Sequence, residues 1–115
     1  VSSDDGELLE VRWSAVNGWR VLSLAGEVDV TRQDELFGEL SGALREASAR
    51  VVLDLSRVTY IDSSGLSAIA VANREAAPGA VFRIAGSGGF VLRLLRTTGL
   101  DTVLDVHPNV EHAAR

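Results

Sequence analysis

Cysteine and methionine are both absent from this 115-residue chain. Without thiols there is neither a disulfide frame nor a sulfur nucleophile, which fits a cytoplasmic protein. The lack of an initiator Met implies a start that has been trimmed or processed. Histidine is nearly absent too. His107 and His112 lie five apart with Glu111 between them, but no third ligand accompanies them, so no metal centre is expected. Two histidines also leave no nucleophile, base and orienter to assemble, and no glycosidase-like pair of carboxylates stands out, so no enzymatic activity is expected. Apolar runs fall well short of the roughly 20 residues that cross a bilayer, and no signal peptide is visible. The eleven basic residues never form a block and the net charge is −5. That balance argues against binding a nucleic-acid backbone or an anionic membrane surface.

What is present is enough apolar residue, 46% of the chain, for one hydrophobic core at a length too short for two. Residues 1–7, which include Ser2, Ser3, Asp4 and Asp5, carry no pattern and read as a loose solvated tail. A single domain is expected over 8–115. Leu9, Val11 and Trp13 alternate with Glu10 and Arg12 at the period of a half-exposed strand. Asn17-Gly18 then supplies the turn of a hairpin with Trp19 to Leu24. Gly26-Glu27-Val28-Asp29 closes the second strand.

Thr31 and Asp34, three residues apart, have the spacing of a capping box. Leu36, Leu40, Ala43, Leu44 and Ala47 follow as the apolar stripe of a helix. The near-continuous apolar run 51–55 suits a strand covered on both faces. From Leu66 to about Glu75 a second helix has Leu66, Ile69, Ala70 and Asn73 on one face. Ala68, Val71 and Ala72 leave its other face smooth, either for a partner's close approach or beneath neighbouring elements of the same domain. Pro78-Gly79 ends it, Ala80 to Ile84 reads as a strand, and a third helix points Phe90, Val91, Leu94 and Leu95 inward before Gly99 closes it. Gly86-Ser87-Gly88-Gly89 lacks the Lys-Ser/Thr of a phosphate loop, and Val91 stands where a dinucleotide fingerprint has its third glycine, so it reads as a helix entry. Val103 to Val106 is a last strand, and Pro108 opens a short terminal helix. This order predicts an α/β fold: a mixed sheet of about five strands, the first pair antiparallel and the rest joined by right-handed crossovers, flanked by about four helices.

The stretch Val52 to Gly65, VLDLSRVTYIDSSG, joins the buried strand to the second helix through Asp62, Ser63 and Ser64. Ser and Asp are ordinary helix caps, which alone would explain them. Their place outside the carboxyl end of a parallel strand is also where open α/β sheets put ligand sites.

The segment LDLSRVTYIDSSGL, residues 53–66, resembles the signature of the STAS family, specifically the small stand-alone anti-sigma factor antagonists of bacterial partner switching. It meets that pattern at Leu53-Asp54-Leu55-Ser56, Val58, Tyr60-Ile61 and Asp62-Ser63-Ser64-Gly65-Leu66. The resemblance covers essentially the whole chain. It implies that Ser63, directly after the motif aspartate, is phosphorylated by a partner kinase, with Ser64 left as the helix cap. Asp29 resembles the family's Gly-x-x-Asp loop and would face the same edge; its plainer role is to start a helix near Thr31. The implied partner-binding surface comprises Asp29, Asp62, Ser64, Gly65, Leu66 and Ser67. Ser67 stands where a glycine-like residue is frequent in the family.

Nothing in the sequence suggests an obligate interface, so a monomer without cofactor is expected; by resemblance the unphosphorylated protein binds an ATP-dependent anti-sigma factor serine kinase and frees a sigma factor. Phosphorylation releases it and a metal-dependent serine phosphatase resets it, a circuit of transcription control in stress or sporulation. Two other readings stand beside this one. The first is a constitutive STAS scaffold or transport-associated interaction domain that needs no phosphorylation. The second is a small-molecule or nucleotide-binding domain using the same edge.

Overall fold

The computed structural model describes residues 9–86 and 88–115; the tail expected over 1–7 lies outside them. Strand β1 (Glu10–Val16) turns through Asn17 and Gly18 into β2 (Trp19–Val28). Val16 pairs with Trp19, so the loop has two residues, and both have positive φ (54° and 85°). Those angles belong to the type I′ turn whose twist matches that of a hairpin, and Asn-Gly is the pair that tolerates them.

After β2 comes a 3-10 turn (Val30–Arg32), then α1 (Gln33–Ala43), β3 (Arg50–Ile61), α2 (Ser63–Arg74) and β4 (Val81–Ala85). Helix α3 (Gly89–Thr98), a 3-10 turn (Leu100–Thr102), β5 (Asp105–His107) and the four-residue α4 (Val110–Ala113) complete the order. The sheet runs β1-β2-β3-β4-β5, with β1 antiparallel to β2 and every later pair parallel. The expected sheet and helices are therefore present.

Because each strand is laid beside the last in one direction, crossovers of one hand put α1, α2 and α3 on the same face. The main core lies there, with Leu36 and Leu40 of α1, Leu66 and Ile69 of α2 and Val91 and Leu95 of α3 packed on Leu22, Leu24, Val51, Leu53 and Leu55. The opposite face carries a smaller cluster of Trp19, Val21, Val52 and Ala85 under Ala113 and Ala114 at the end of the chain. The run 51–55 is apolar because alternate residues serve the two clusters, while Asp54 stays half-exposed.

Several expectations are corrected. Thr31 does not cap α1: the capping side chain is Asp29, which accepts from the amide and hydroxyl of Thr31 and starts the 3-10 turn. Arg32, at the N-cap of α1, makes no side-chain cap bond. Ala47 lies beyond the end of α1 and is exposed. Helix α2 starts at Ser63 rather than Leu66, and the face taken as smooth is covered, with Ala68 and Ala72 buried against the core and Val71 half-buried. Neighbouring elements, not a partner, claim those alanines. Phe90 is 41% exposed instead of inward, since α3 turns only Val91 and Leu95 fully under the sheet. The last strand is Asp105–His107, and Val103 is exposed because the preceding 3-10 turn consumes the chain that would have paired.

Candidate functional site at the carboxyl ends of strands 2 and 3

Strand β3 runs twelve residues, well past its pairing with β4, which stops at Asp54 and Ala85. Over the extension it pairs with β2 alone, and the register slips between Ser23 and Ala25 and again between Gly26 and Glu27. Each slip places extra β3 residues opposite β2, as a bulge does. At the first, Asp54 Oδ1 accepts from the amide of Ser56 at 3.0 Å, giving a ladder amide a side-chain partner. Asp54 of the sequence motif thus has a local structural task. After both slips Val28 pairs with Ile61, and both are buried on the main core.

That pairing places Asp29 and Asp62, each the first residue past its strand, at neighbouring strand ends. The two end alike. Each aspartate is in extended backbone (φ −117° and −107°) and caps the turn that follows it. Asp29 Oδ1 accepts from Thr31 Oγ1 at 2.6 Å and from the Thr31 amide at 3.0 Å. Asp62 Oδ1 accepts from the amides of Ser64 at 2.9 Å and Gly65 at 3.1 Å. A 3.2 Å bond from the Asp62 amide to the Val28 carbonyl ties the two turns together. The Thr31 hydroxyl, first among several causes, holds the Asp29 carboxyl below its ordinary value; the Thr31 amide and the Arg32 charge add to this while partial desolvation opposes it.

The cap expected at Ser64 therefore belongs to Asp62. Ser63, the first residue of α2, is exposed and free of that duty, and Ser67, one turn on, is exposed as well. Ser64 is half-exposed. Gly65 and Leu66 are buried; they fix where the turn sits and add little to its outer surface. Sequence reasoning missed Val30, an apolar side chain 62% exposed beside Asp29. A β-branched residue at a strand end reads as core, and only the 3-10 turn after Asp29 swings it outward.

Chemically the edge offers an exposed serine next in the chain to Asp62, with Asp29 at the end of the neighbouring strand, and no guanidinium in ion-pair contact with either carboxylate among the described residues. The sheet order never reverses, so the crevice that small ligands use in doubly wound sheets does not form. Four surface clefts among the described residues are lined by other side chains than Asp29, Asp62 and Ser63. No group of three metal-ligating side chains, and no helix long and apolar enough to cross a membrane, occurs among the described residues.

Fold and edge together define a small α/β domain whose presented serine lies on a surface instead of in a pocket. Residues 15–105 match the family model described as "Mlab, STAS domain", and the chain belongs to the STAS family. It is 28% identical over 85 residues to the anti-sigma-F factor antagonist RsfB of Mycobacterium tuberculosis, covering 74% of this chain and 70% of that one. Among solved structures, an anti-sigma factor antagonist from Mycobacterium paratuberculosis superposes with a TM-score of 0.82 at 24% identity, over 93% of this chain and 92% of that one. The Bacillus cell fate determinant SpoIIAA in its phosphorylated form superposes with a TM-score of 0.63 at 18% identity, over 85% and 91%.

Proposed function

We propose that this protein is an anti-sigma factor antagonist whose partner binding is switched off by phosphorylation of Ser63. The observation that carries the reading is an exposed serine at the start of α2, between a strand-end carboxylate and its own helix, in a STAS chain with anti-sigma antagonist relatives. The unphosphorylated protein binds an anti-sigma factor that is also an ATP-dependent serine kinase, and so releases a sigma factor. A serine phosphatase restores it. In this scheme the protein is a substrate and a ligand, not an enzyme, and it acts in the cytoplasm without a cofactor.

The geometry gives the switch a physical basis. A phosphoserine carries about −1.5 to −2 charges and strong acceptor oxygens. At most helix starts free amides would receive them. Here Asp62 already holds the amides of Ser64 and Gly65, and its carbonyl accepts from the amide of Leu66 at 3.0 Å. A phosphate on Ser63 therefore projects outward at an edge that already carries two carboxylates. The charge then falls on the docking surface, where it repels acidic groups and must be desolvated before a partner can seat. A swing from 1:99 to 99:1 bound needs about 5.5 kcal/mol of differential affinity.

The test is the intact mass of the protein recovered from its own host, growing and stressed, beside a Ser63→Ala version. A gain of roughly 80 Da, one phosphoryl group, that varies with condition and vanishes in the variant is the expected result. If no phosphate appears under any condition, a constitutive scaffold replaces this reading.

A further inference from the structure

His107 and His112, left unused by the turns described above, meet at the carboxyl end of β5, the strand at the far side of the sheet from β1. Their Nδ1 atoms are 2.8 Å apart and the ring centroids 4.9 Å. At that distance one nitrogen donates and the other accepts, so the contact requires that at least one ring keep its Nδ1 lone pair. We propose that this pair is a pH-sensitive latch: it holds α4 against the sheet while it carries at most one added proton, and releases it when both rings are protonated.

The surroundings decide how much positive charge the pair tolerates. Nε2 of His107, buried, approaches Asp105 Oδ1 at 2.9 Å without the alignment of a full hydrogen bond. Asp105 Oδ2 is in turn 3.2 Å from Nε of Arg83 on β4. One carboxylate thus already offsets one permanent cation. A first proton leaves the group at +1 and keeps the N–H···N bond. A second destroys the bond and leaves two imidazolium rings together, with the one nearby carboxylate, Asp105, already shared with Arg83. Glu111 on α4 is exposed, and Arg96 and Asp101 share one cleft wall with His107 as a further charge of each sign. None of these supplies a dedicated counter-ion for His112.

What the latch holds is otherwise lightly held. A four-residue helix has no stability of its own. The other polar ties of this segment among the described residues are Arg83 Nη1 donating to the Ala113 carbonyl at 2.8 Å and, longer, to the Arg115 carbonyl at 3.4 Å, and Asn17 Nδ2 of the hairpin turn donating to the Ala114 carbonyl at 2.7 Å. Beneath Ala113 and Ala114 lies the second core, where Trp19 is 3% exposed and Val52 and Ala85 are fully buried. Release bares that apolar face, including an indole stacked under the Arg83 guanidinium at 4.5 Å.

The experiment is an NMR titration of the 115-residue chain from about pH 8 to about pH 5, the range in which histidine changes charge. It follows both imidazoles, the amide exchange of residues 110–114 corrected for intrinsic pH dependence, and the Trp19 indole. The expected result is a loss of α4 protection of roughly fivefold, the weight of one net hydrogen bond, in step with the second imidazole protonation. The rest of the sheet keeps its protection. His112→Gln, which has no titrating ring, should show no such step; His107→Gln gives the same comparison if the first variant leaves α4 undocked at every pH. Unchanged α4 protection down to pH 5 in the wild-type chain overturns the proposal, as does the same step in a docked glutamine variant.

Discussion

A Cβ on Gly65 would stand 2.7 Å from Cγ1 of Val28, closer than side-chain atoms approach, and 2.8 Å from Cγ1 of Ile61. The first turn of α2 therefore lies directly on the ends of β2 and β3, and only a residue without a side chain permits it. This contact sets the height at which Ser63 is presented.

Gly65→Ala should lower stability by about 1–3 kcal/mol, the usual cost of forcing a methyl into a packed site. Part of the strain should lift the start of α2 away from Val28. Urea denaturation reads the first effect, and amide shifts at Ser63 and Ser64 read the second. A variant as stable as the parent would mean that Val28 moves aside freely.

Asp62→Ala removes the acceptor of two helix amides and should cost about 1 kcal/mol, within the 0.5–2 range of cap deletions. Asp62→Asn keeps a cap oxygen and should cost less. Denaturant midpoints order the three proteins. The alanine variant also frees the amides of Ser64 and Gly65, so a phosphate on Ser63 should weaken partner binding less in that background.

The Asp29 carboxyl is held below its ordinary value of 3.8, chiefly by the Thr31 hydroxyl. A lowered folded-state value means that the stabilisation is fully present above the unfolded value and is lost as pH falls through the folded one. The cap should therefore be intact at pH 5 and open only as the pH falls below 3.8. The side-chain carboxyl carbon of Asp29 and the amide of Thr31 should titrate together, with a midpoint below 3.8. Thr31→Ala should raise that midpoint, and an unchanged one would remove the hydroxyl as its cause.

Ser63 is exposed, so Ser63→Ala should change stability by no more than about 0.5 kcal/mol, as is usual for surface substitutions. It should also keep partner affinity while losing any response to ATP. Ser63→Glu adds a charge beside Asp62 and should weaken binding to the kinase partner, though less than a phosphate does. Thermal melting and calorimetric affinity separate the two effects. Equal affinity for all three forms would detach the serine from binding.

The legible features are those decided within a few residues. Asn17-Gly18 demands positive φ wherever it occurs between two strands, and Leu9 to Trp13 alternates because one face of β1 is covered. The strand–turn–helix unit around Asp62 could be read from its apolar run and its cap-forming side chains. Local chemistry left ties that it could not break: Asp29 and Thr31 are both competent caps near α1, and so are Asp62 and Ser64 for α2. The choice between them depended on where Val28 and Ile61 finish in register.

The sequence by itself determined the α/β order, the hairpin, the strand–turn–helix around Ser63 and the resemblance carried by residues 53–66, because these depend on short-range periodicity and turn chemistry. Tertiary structure alone decided that Ala68 and Ala72 turn inward and Phe90 outward, since the rotation of a helix about its axis is set by the elements it packs against. It alone set Asp29 beside Asp62, through two slips in the ladder between β2 and β3. It also brought His107 and His112 to 2.8 Å, because β5 and α4 fold back on one another only when the second core gives α4 a surface on which to rest.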